Sequence, residues 1–271
     1  MATRAAAKPG RSAGTLGAYV LHRYDWSESS LILDLFTREQ GRLAVAAKGA
    51  KRPTSQLRAV LLPFQRIQVS LGRVPKADAS GEPASDIHNL RAAEWGGGAA
   101  MLTGAALFSG FYLNELLMKL LARQDAYPRL FDAYAQTLPH LPAEDEASVQ
   151  AALRAFELTL LRETGLLPDL SLVTLTRAEV AADDAYALLP QAGVTPPRGD
   201  GDAAMRGQVL VALEAALAHG SMDALREACS GALPALRSAL RGLLHYHLGS
   251  PVLRTRQVML DVQALERIAP P

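Results

Sequence analysis

Residues 41–73 read GRLAVAAKGAKRPTSQLRAVLLPFQRIQVSLGR. The segment opens on a short apolar run, Arg42–Ala47, passes through a glycine- and proline-containing loop at 48–55, and makes a helical turn at 56–62. It closes on an alternating run, 64–73, with the period of a strand that buries one face. Upstream, residues 17–24 and 30–37 are rich in β-branched and aromatic side chains, the composition of strands. The polar turns 25–28 and 39–41 are short enough to join them, and Arg42–Ala47, as hairpins. Downstream, 74–83 reads as a loop and 86–95 supplies a fifth strand.

Five short strands with one helical insert in about 80 residues predict a small Greek-key barrel, with the five-stranded oligonucleotide-binding (OB) barrel as the favoured form. A sandwich fits the same pattern. From Ala99 onward the period becomes helical. Leu113, Leu116, Leu117, Leu120 and Leu121 form one apolar stripe, and Leu130, Tyr134, Leu138 and Leu141 continue it after Pro128, a residue suited to the first turn of a helix. Residues 149–164 repeat the pattern with Gly165 placed as a C-terminal cap, and 203–218 and 222–248 read as further helices, the last interrupted near Pro234. The expected class is α+β: a tail at 1–14, a barrel at 15–97 and a helical domain at 98–271. Within the helical domain, an irregular insert at about 166–202 carries a hairpin around Leu172–Leu175 and Tyr186–Leu189.

With 49% apolar and 20% charged residues, the chain of 271 sits among globular proteins and away from disordered or fibrous ones. Its apolar runs are too short and interrupted to span a bilayer. A single cysteine, Cys229, leaves no internal disulfide and no thiolate metal site, which suits a reducing cytoplasm. Residues 1–14 carry Arg4, Lys8 and Arg11 without an acid, the composition of a disordered basic tail or of a transit peptide.

No phosphate loop, nucleophile elbow or dinucleotide fingerprint is present, and the glycines Gly96–Gly98 read as a linker. His245 and His247, two apart on a helix, fall on different faces and do not form a metal pair. Cys229 reads as a small packed residue, and Asp183 and Asp184 as a solvated loop. No catalytic residues, cofactor or metal are expected.

The charge is unevenly spread behind a net of +1. Residues 1–97 hold fourteen Lys and Arg against eight acids, whereas 124–235 hold seven against sixteen. Arg42, Lys48, Lys51, Arg52, Arg58, Arg66, Arg73 and Lys76 all lie within 40–77, where there is no carboxylate. Such a stretch either solvates a face or binds a polyanion, with strong salt dependence in the second case. The loop KGAKRP lets the backbone approach phosphates closely, and aromatic residues of the same domain offer stacking surfaces. Among these, Phe36 and Phe64 are expected in the core, Tyr19 is of either kind, and Tyr24 and Trp26, at a strand end, are the stacking candidates.

The order of pieces resembles the RecO family of bacterial recombination mediators: YVLHRYDWSESSLILDLFT, then REQGRLAVAAKGAKRPTSQLRAVLLPF, then GFYLNELLMKLL, LRETGLLPDL and, near the end, LGSPVLRTRQVM. The resemblance is carried most closely by Glu28, Thr37, Gly41, Lys48, Gly49 and Pro63. It implies an OB barrel followed by a helical domain, without catalytic activity. It further implies binding of single- and double-stranded DNA, annealing of complementary strands, and loading of RecA, together with RecR, onto strands coated by single-stranded DNA-binding protein. A bacterial, nucleoid-associated cytoplasmic location follows. The DNA-contacting residues would be Arg42, Lys48, Lys51, Arg52, Arg58 and Arg66 with Tyr24 and Trp26.

Members of that family also bind the acidic tail of single-stranded DNA-binding protein through the helical domain. Here Tyr112, Leu116, Lys119, Leu120, Arg123 and Arg129 combine an apolar stripe with basic residues, although either leucine also reads as core. Some RecO-like proteins carry four zinc-binding cysteines after GLLPDL; this chain reads SLVTLT there, so packing of Leu172, Val173 and Leu175 is expected to hold the hairpin. The competing reading is a protein-interaction adaptor whose barrel binds an acidic partner, with nucleic acid incidental.

Overall fold

Alternation and apolar runs in the first hundred residues give five strands that close on themselves. The computed structural model describes residues 14–72, 86–98, 101–199, 202–249, 253–255, 257, 258 and 261. Strands β1 (Leu16–Asp25), β2 (Leu31–Thr37), β3 (Gly41–Ala47), β4 (Arg66–Leu71) and β5 (Ile87–Trp95) form a closed barrel in the order β1-β2-β3-β5-β4. The one-turn helix α1 (Leu57–Val60) stands between β3 and β4. This is the OB arrangement: β3 pairs with β5 in parallel, Ala44 opposite Ile87, and the other pairing of β5 is antiparallel, Ile67 of β4 opposite Trp95. The core holds Ala18, Val20, Leu33, Leu35, Val45, Ile67 and Val69, with Leu61 beyond α1 closing it. β4, RIQVSL, buries every second residue, whereas β3, GRLAVAA, is buried along nearly its whole length and so shows no alternation in sequence.

The chain divides into two compact units: residues up to Leu35 with Leu43–Gly97, and Phe36–Arg42 with Gly98 onward. The turn Phe36–Arg42, read from sequence as part of the barrel domain, therefore packs with the second unit. Phe36 lies against Phe131 and Tyr134 at ring-centroid distances of 5.4 and 6.3 Å. Arg38 makes a two-pronged contact with Asp132 at 2.9 and 2.8 Å. Gly41 has φ of +66° and a Cβ there would fall 1.7 Å from the Asp125 carbonyl oxygen, so only glycine fits.

The second unit holds α2 (Gly104–Leu120), α3 (Pro128–Thr137), α4 (Glu146–Glu163), α5 (Gly207–His219), α6 (Met222–Ser230) and α7 (Leu233–Leu248). Its helix ends are chemically marked. The Asp145 carboxylate accepts the Ala147 and Ser148 amides at the start of α4, and Ser221 Oγ accepts that of Ala224 at the start of α6. Past the end of α4, Gly165 at φ +72° turns the chain, and the Leu166 amide returns to Leu161 O at 2.8 Å. α4 is the central helix, with Ala152, Ala155, Phe156, Leu160 and Leu161 fully covered. Asn114 of α2, also buried, accepts the Tyr134 hydroxyl at 2.6 Å.

Between α4 and α5 lies a small sheet, β6 (Ala185–Leu189), β7 (Gly193–Thr195) and β8 (Ala204–Arg206), in the order β7-β6-β8. The helix expected from residue 203 begins later, because Ala204–Arg206 pairs with Ala185–Ala187. The expected packing of the zinc-less hairpin is also corrected. Leu175 is 92% exposed and Leu172 and Val173 are only half-buried, and the buried side chains include Val180, Tyr186, Leu188, Val194 and Met205. The hairpin is held instead by backbone bonds, Val173 to Ala178 O and Thr174 to Val194 O at 2.8 and 2.9 Å. Residues 1–13, with Arg4, Lys8 and Arg11, and the loop cations Arg73 and Lys76 lie outside the described residues.

Candidate nucleic-acid interface and partner pocket

On the barrel, two turns are hydrogen-bonded into one surface. The turn after β1 carries Trp26 and Ser27; the turn after β3 carries Lys48, Gly49, Lys51 and Arg52. The Lys51 amide donates to Ser29 O at 2.9 Å, its Nζ to Ser27 O at 3.1 Å, and Nζ pairs with Asp25 at 3.0 Å. The Gly49 amide donates to Ser30 Oγ at 3.3 Å, and Gly49, at φ +72°, leaves room for the Arg52 side chain beside it. Trp26 is 55% exposed and Tyr24 42%, whereas Tyr19, Phe36 and Phe64 are buried. A groove beside these turns is lined by Arg23, Lys51 and Arg58, one acid, Asp25, and apolar residues that include Leu31, Leu57 and Leu61.

Lys48, Arg52, Arg58 and Arg66 are all exposed, and among the described residues their charged groups have no hydrogen-bond or ion-pair partner. Lys51 is already latched to Asp25, so its charge is partly answered within the protein. Arg66 stands apart from the turns, opposite Tyr19 on β1 with its guanidinium near Gly17. Arg42 is removed from the set: its guanidinium donates to the Met118 and Leu121 carbonyls within the second unit, ending a helix rather than awaiting a phosphate. Sequence reasoning missed two residues of the barrel. Arg23 lines the groove and reaches Leu61 O at 3.3 Å. Trp95, 67% exposed, lies at the end of β5 with its indole nitrogen 3.5 Å from Gln65 Oε1. Strand alternation could have flagged Arg23; nothing local marks Trp95 as uncovered.

In the helical unit the six residues expected to hold a partner's tail do not gather. Leu116 is fully buried core and has no surface to offer, and Leu120 is half-buried. Lys119 pairs with Glu115 at 3.5 Å, one turn back on its own helix. Arg129 donates to Leu217 O at 3.0 Å and faces Glu163 at 3.7 Å, beside a different crevice between α3, α4 and α5. Arg123 is exposed beyond α2.

Tyr112 alone opens into a real cavity, of about 190 Å3. Phe108 and Tyr112 of α2, Leu153, Arg154 and Glu157 of α4, Arg237, Arg241, Leu244 and His245 of α7, and Leu253 and Thr255 beyond it line this space. At its floor Tyr112 Oη and Arg154 Nη2 each donate to Glu157 Oε1 at 2.6 Å. Burial raises the Tyr112 hydroxyl well above its ordinary range, with the Glu157 charge adding to it; burial also raises the Glu157 carboxyl, against the pull of Arg154 and Tyr112. The cavity thus joins apolar walls, a buried guanidinium and two arginines at the mouth. Arg237 and Arg241, four apart on α7, share a face that spacing alone shows, but sequence spacing cannot bring Arg154 of α4 to them.

Among the described residues no group of His, Cys, Asp or Glu is arranged to hold a metal, and no helix is long and apolar enough to cross a membrane. Cys229 is buried and burial raises its thiol to about 12, so it is not poised as a nucleophile.

Residues 15–78 match the family model described as recombination protein O N terminal, and residues 101–257 the one described as recombination protein O C terminal. The chain is 52% identical over 258 residues to the DNA repair protein RecO of Variovorax paradoxus (strain S110), with 92% of this chain and 96% of the relative covered. It is 50% identical over 250 residues to the DNA repair protein RecO of Polaromonas naphthalenivorans (strain CJ2), again covering 92% and 96%. An OB barrel with exposed cations, followed by a helical unit, and similarity along nearly the whole chain lead to one assignment: the chain belongs to the RecO family of recombination and DNA repair proteins.

Proposed function

We propose that the chain is a recombination mediator of the bacterial cytoplasm that binds single- and double-stranded DNA on its barrel and anneals complementary strands. With RecR it would help load RecA onto strands coated by single-stranded DNA-binding protein. The observation that carries the reading is the union of two turns that sets exposed Trp26 beside the Lys48–Arg52 cations, with Arg58 across the groove. A base stacked on Trp26 or Tyr24 leaves its phosphates toward cations that, apart from Lys51, have no ion-pair partner among the described residues.

For the partner tail, the reading moves from the α2 stripe to the cavity. A peptide ending in an aromatic residue presents one apolar group and one carboxylate; Phe108, Leu153 and Leu244 suit the first, and Arg154, Arg237 and Arg241 the second.

The test is annealing of complementary oligonucleotides at moderate salt. The wild-type chain should accelerate it, and Lys51→Glu with Arg52→Glu should remove the acceleration while the fold, by circular dichroism, is kept. Unchanged annealing in that variant overturns the interface; no acceleration by the parent chain favours the adaptor reading.

A further inference from the structure

Resting on the tail reading of the cavity, we propose that Glu115 is a positioning residue that holds one wall of that cavity in place. Leu253 and Thr255 contribute that wall, and they follow the end of α7 in the chain. A carboxylate about 140 residues earlier in the chain grips this stretch: Glu115 Oε1 accepts the Arg254 amide at 2.8 Å, and Oε2 accepts the Thr255 amide at 2.9 Å and its hydroxyl at 2.7 Å. Three bonds to one ionised group are worth more than three neutral ones. Burial pushes the Glu115 carboxyl up, but the bonds from Thr255 and Arg254, with the Lys119 charge, outweigh it and leave it below the usual carboxylate range.

The arrangement explains a residue that the sequence assigned elsewhere. Tyr112, Glu115 and Lys119 lie three and four residues apart on α2 and therefore along one face. Tyr112 turns into the cavity, Glu115 grips the wall, and Lys119 balances the charge of Glu115. The basic residue of the stripe thus serves the wall, and the ligand's carboxylate meets α4 and α7.

The probe is a labelled peptide Asp-Asp-Asp-Leu-Phe with a free C-terminal carboxylate, followed by anisotropy on the full chain, alongside amide exchange at Arg254 and Thr255. Glu115→Gln should weaken the peptide about tenfold and speed exchange at both amides. Thr255→Val, which removes one bond and leaves the two amides held, should weaken it about two- to threefold and keeps the proposal testable if Glu115→Gln fails to fold. Lys119→Ala, which removes only the smallest of the pulls on Glu115, should speed exchange at both amides less than Glu115→Gln does. Arg241→Glu, at the exposed mouth, reports on the cavity itself. If it abolishes binding while Glu115→Gln and Thr255→Val leave affinity and exchange unchanged, the role of Glu115 is overturned. If Arg241→Glu has no effect, the tail reading falls, and the role of Glu115 with it.

Discussion

The cations of the barrel and those of the helical cavity are held in opposite ways. Lys48, Arg52 and Arg58 are exposed and have no partner among the described residues, while Arg154 is 8% exposed and rests on a carboxylate that is 1% exposed. Solvated charges act by number: each adds a modest, salt-screened attraction for a polyanion, and losing one hardly touches the fold. A buried guanidinium acts by geometry, and its removal strands the charge it was paired with. The first arrangement fits a ligand that is long and repetitive, the second a ligand with one end.

The largest expected effect breaks the buried side of the comparison. Arg154→Ala should destabilise the chain by about 3–5 kcal/mol, because Glu157 is left buried without its ion-pair partner. Arg154→Met combined with Glu157→Gln should recover most of that loss, yet bind no acidic peptide. Urea denaturation decides it: if the single variant lies within about 1 kcal/mol of the parent, below the range for a broken buried pair, Arg154 is not held as described.

Next in size is the exposed side. Lys51→Glu with Arg52→Glu should lower single-strand affinity by about two orders of magnitude at low salt, and flatten the log–log salt slope by about 1.4 if each cation meets one phosphate. Peptide binding in the helical cavity should not change. Equal slopes for parent and variant would mean that these cations only solvate the surface. Trp26→Ala follows, with a loss of about 1–3 kcal/mol in single-strand affinity and no change in salt slope, since a stacked base carries no counterion with it. A fall in slope instead would make Trp26 a prop for the Lys51 turn.

The barrel was legible because its strands are local patterns. The alternation of RIQVSL and the turn chemistry at Gly41 and Gly49 are written in adjacent residues, and the acid-free stretch marks the basic surface directly. The division at Phe36–Arg42 was not legible, because nothing in a hairpin's own sequence says that its tip packs on Phe131 and Tyr134. Arg42 was misread for the same reason: a basic residue on a basic strand looks like its neighbours until the Met118 and Leu121 carbonyls are beside it. In the helical unit, Leu116 betrayed its burial through helical period, but Arg154 meets Arg237 and Arg241 only through the packing of α4 against α7. Charge composition even pointed away from Arg154, which lies in a stretch that is acidic on balance.

The smallest expected effect is the most discriminating for the exposed set. Lys48 has no partner among the described residues and stands on the turn beside Gly49. Lys48→Ala should therefore leave stability within about 0.5 kcal/mol of the parent. If the side chain contacts one phosphate, the salt slope for single-stranded DNA falls by about 0.7, and the loss is the same for every base sequence. A loss that depends on sequence would place Lys48 on a base edge, and a loss of stability would mean the turn is held by its charge. Either result would carry the barrel's cations toward the geometric behaviour of the helical cavity and erase the contrast between the two.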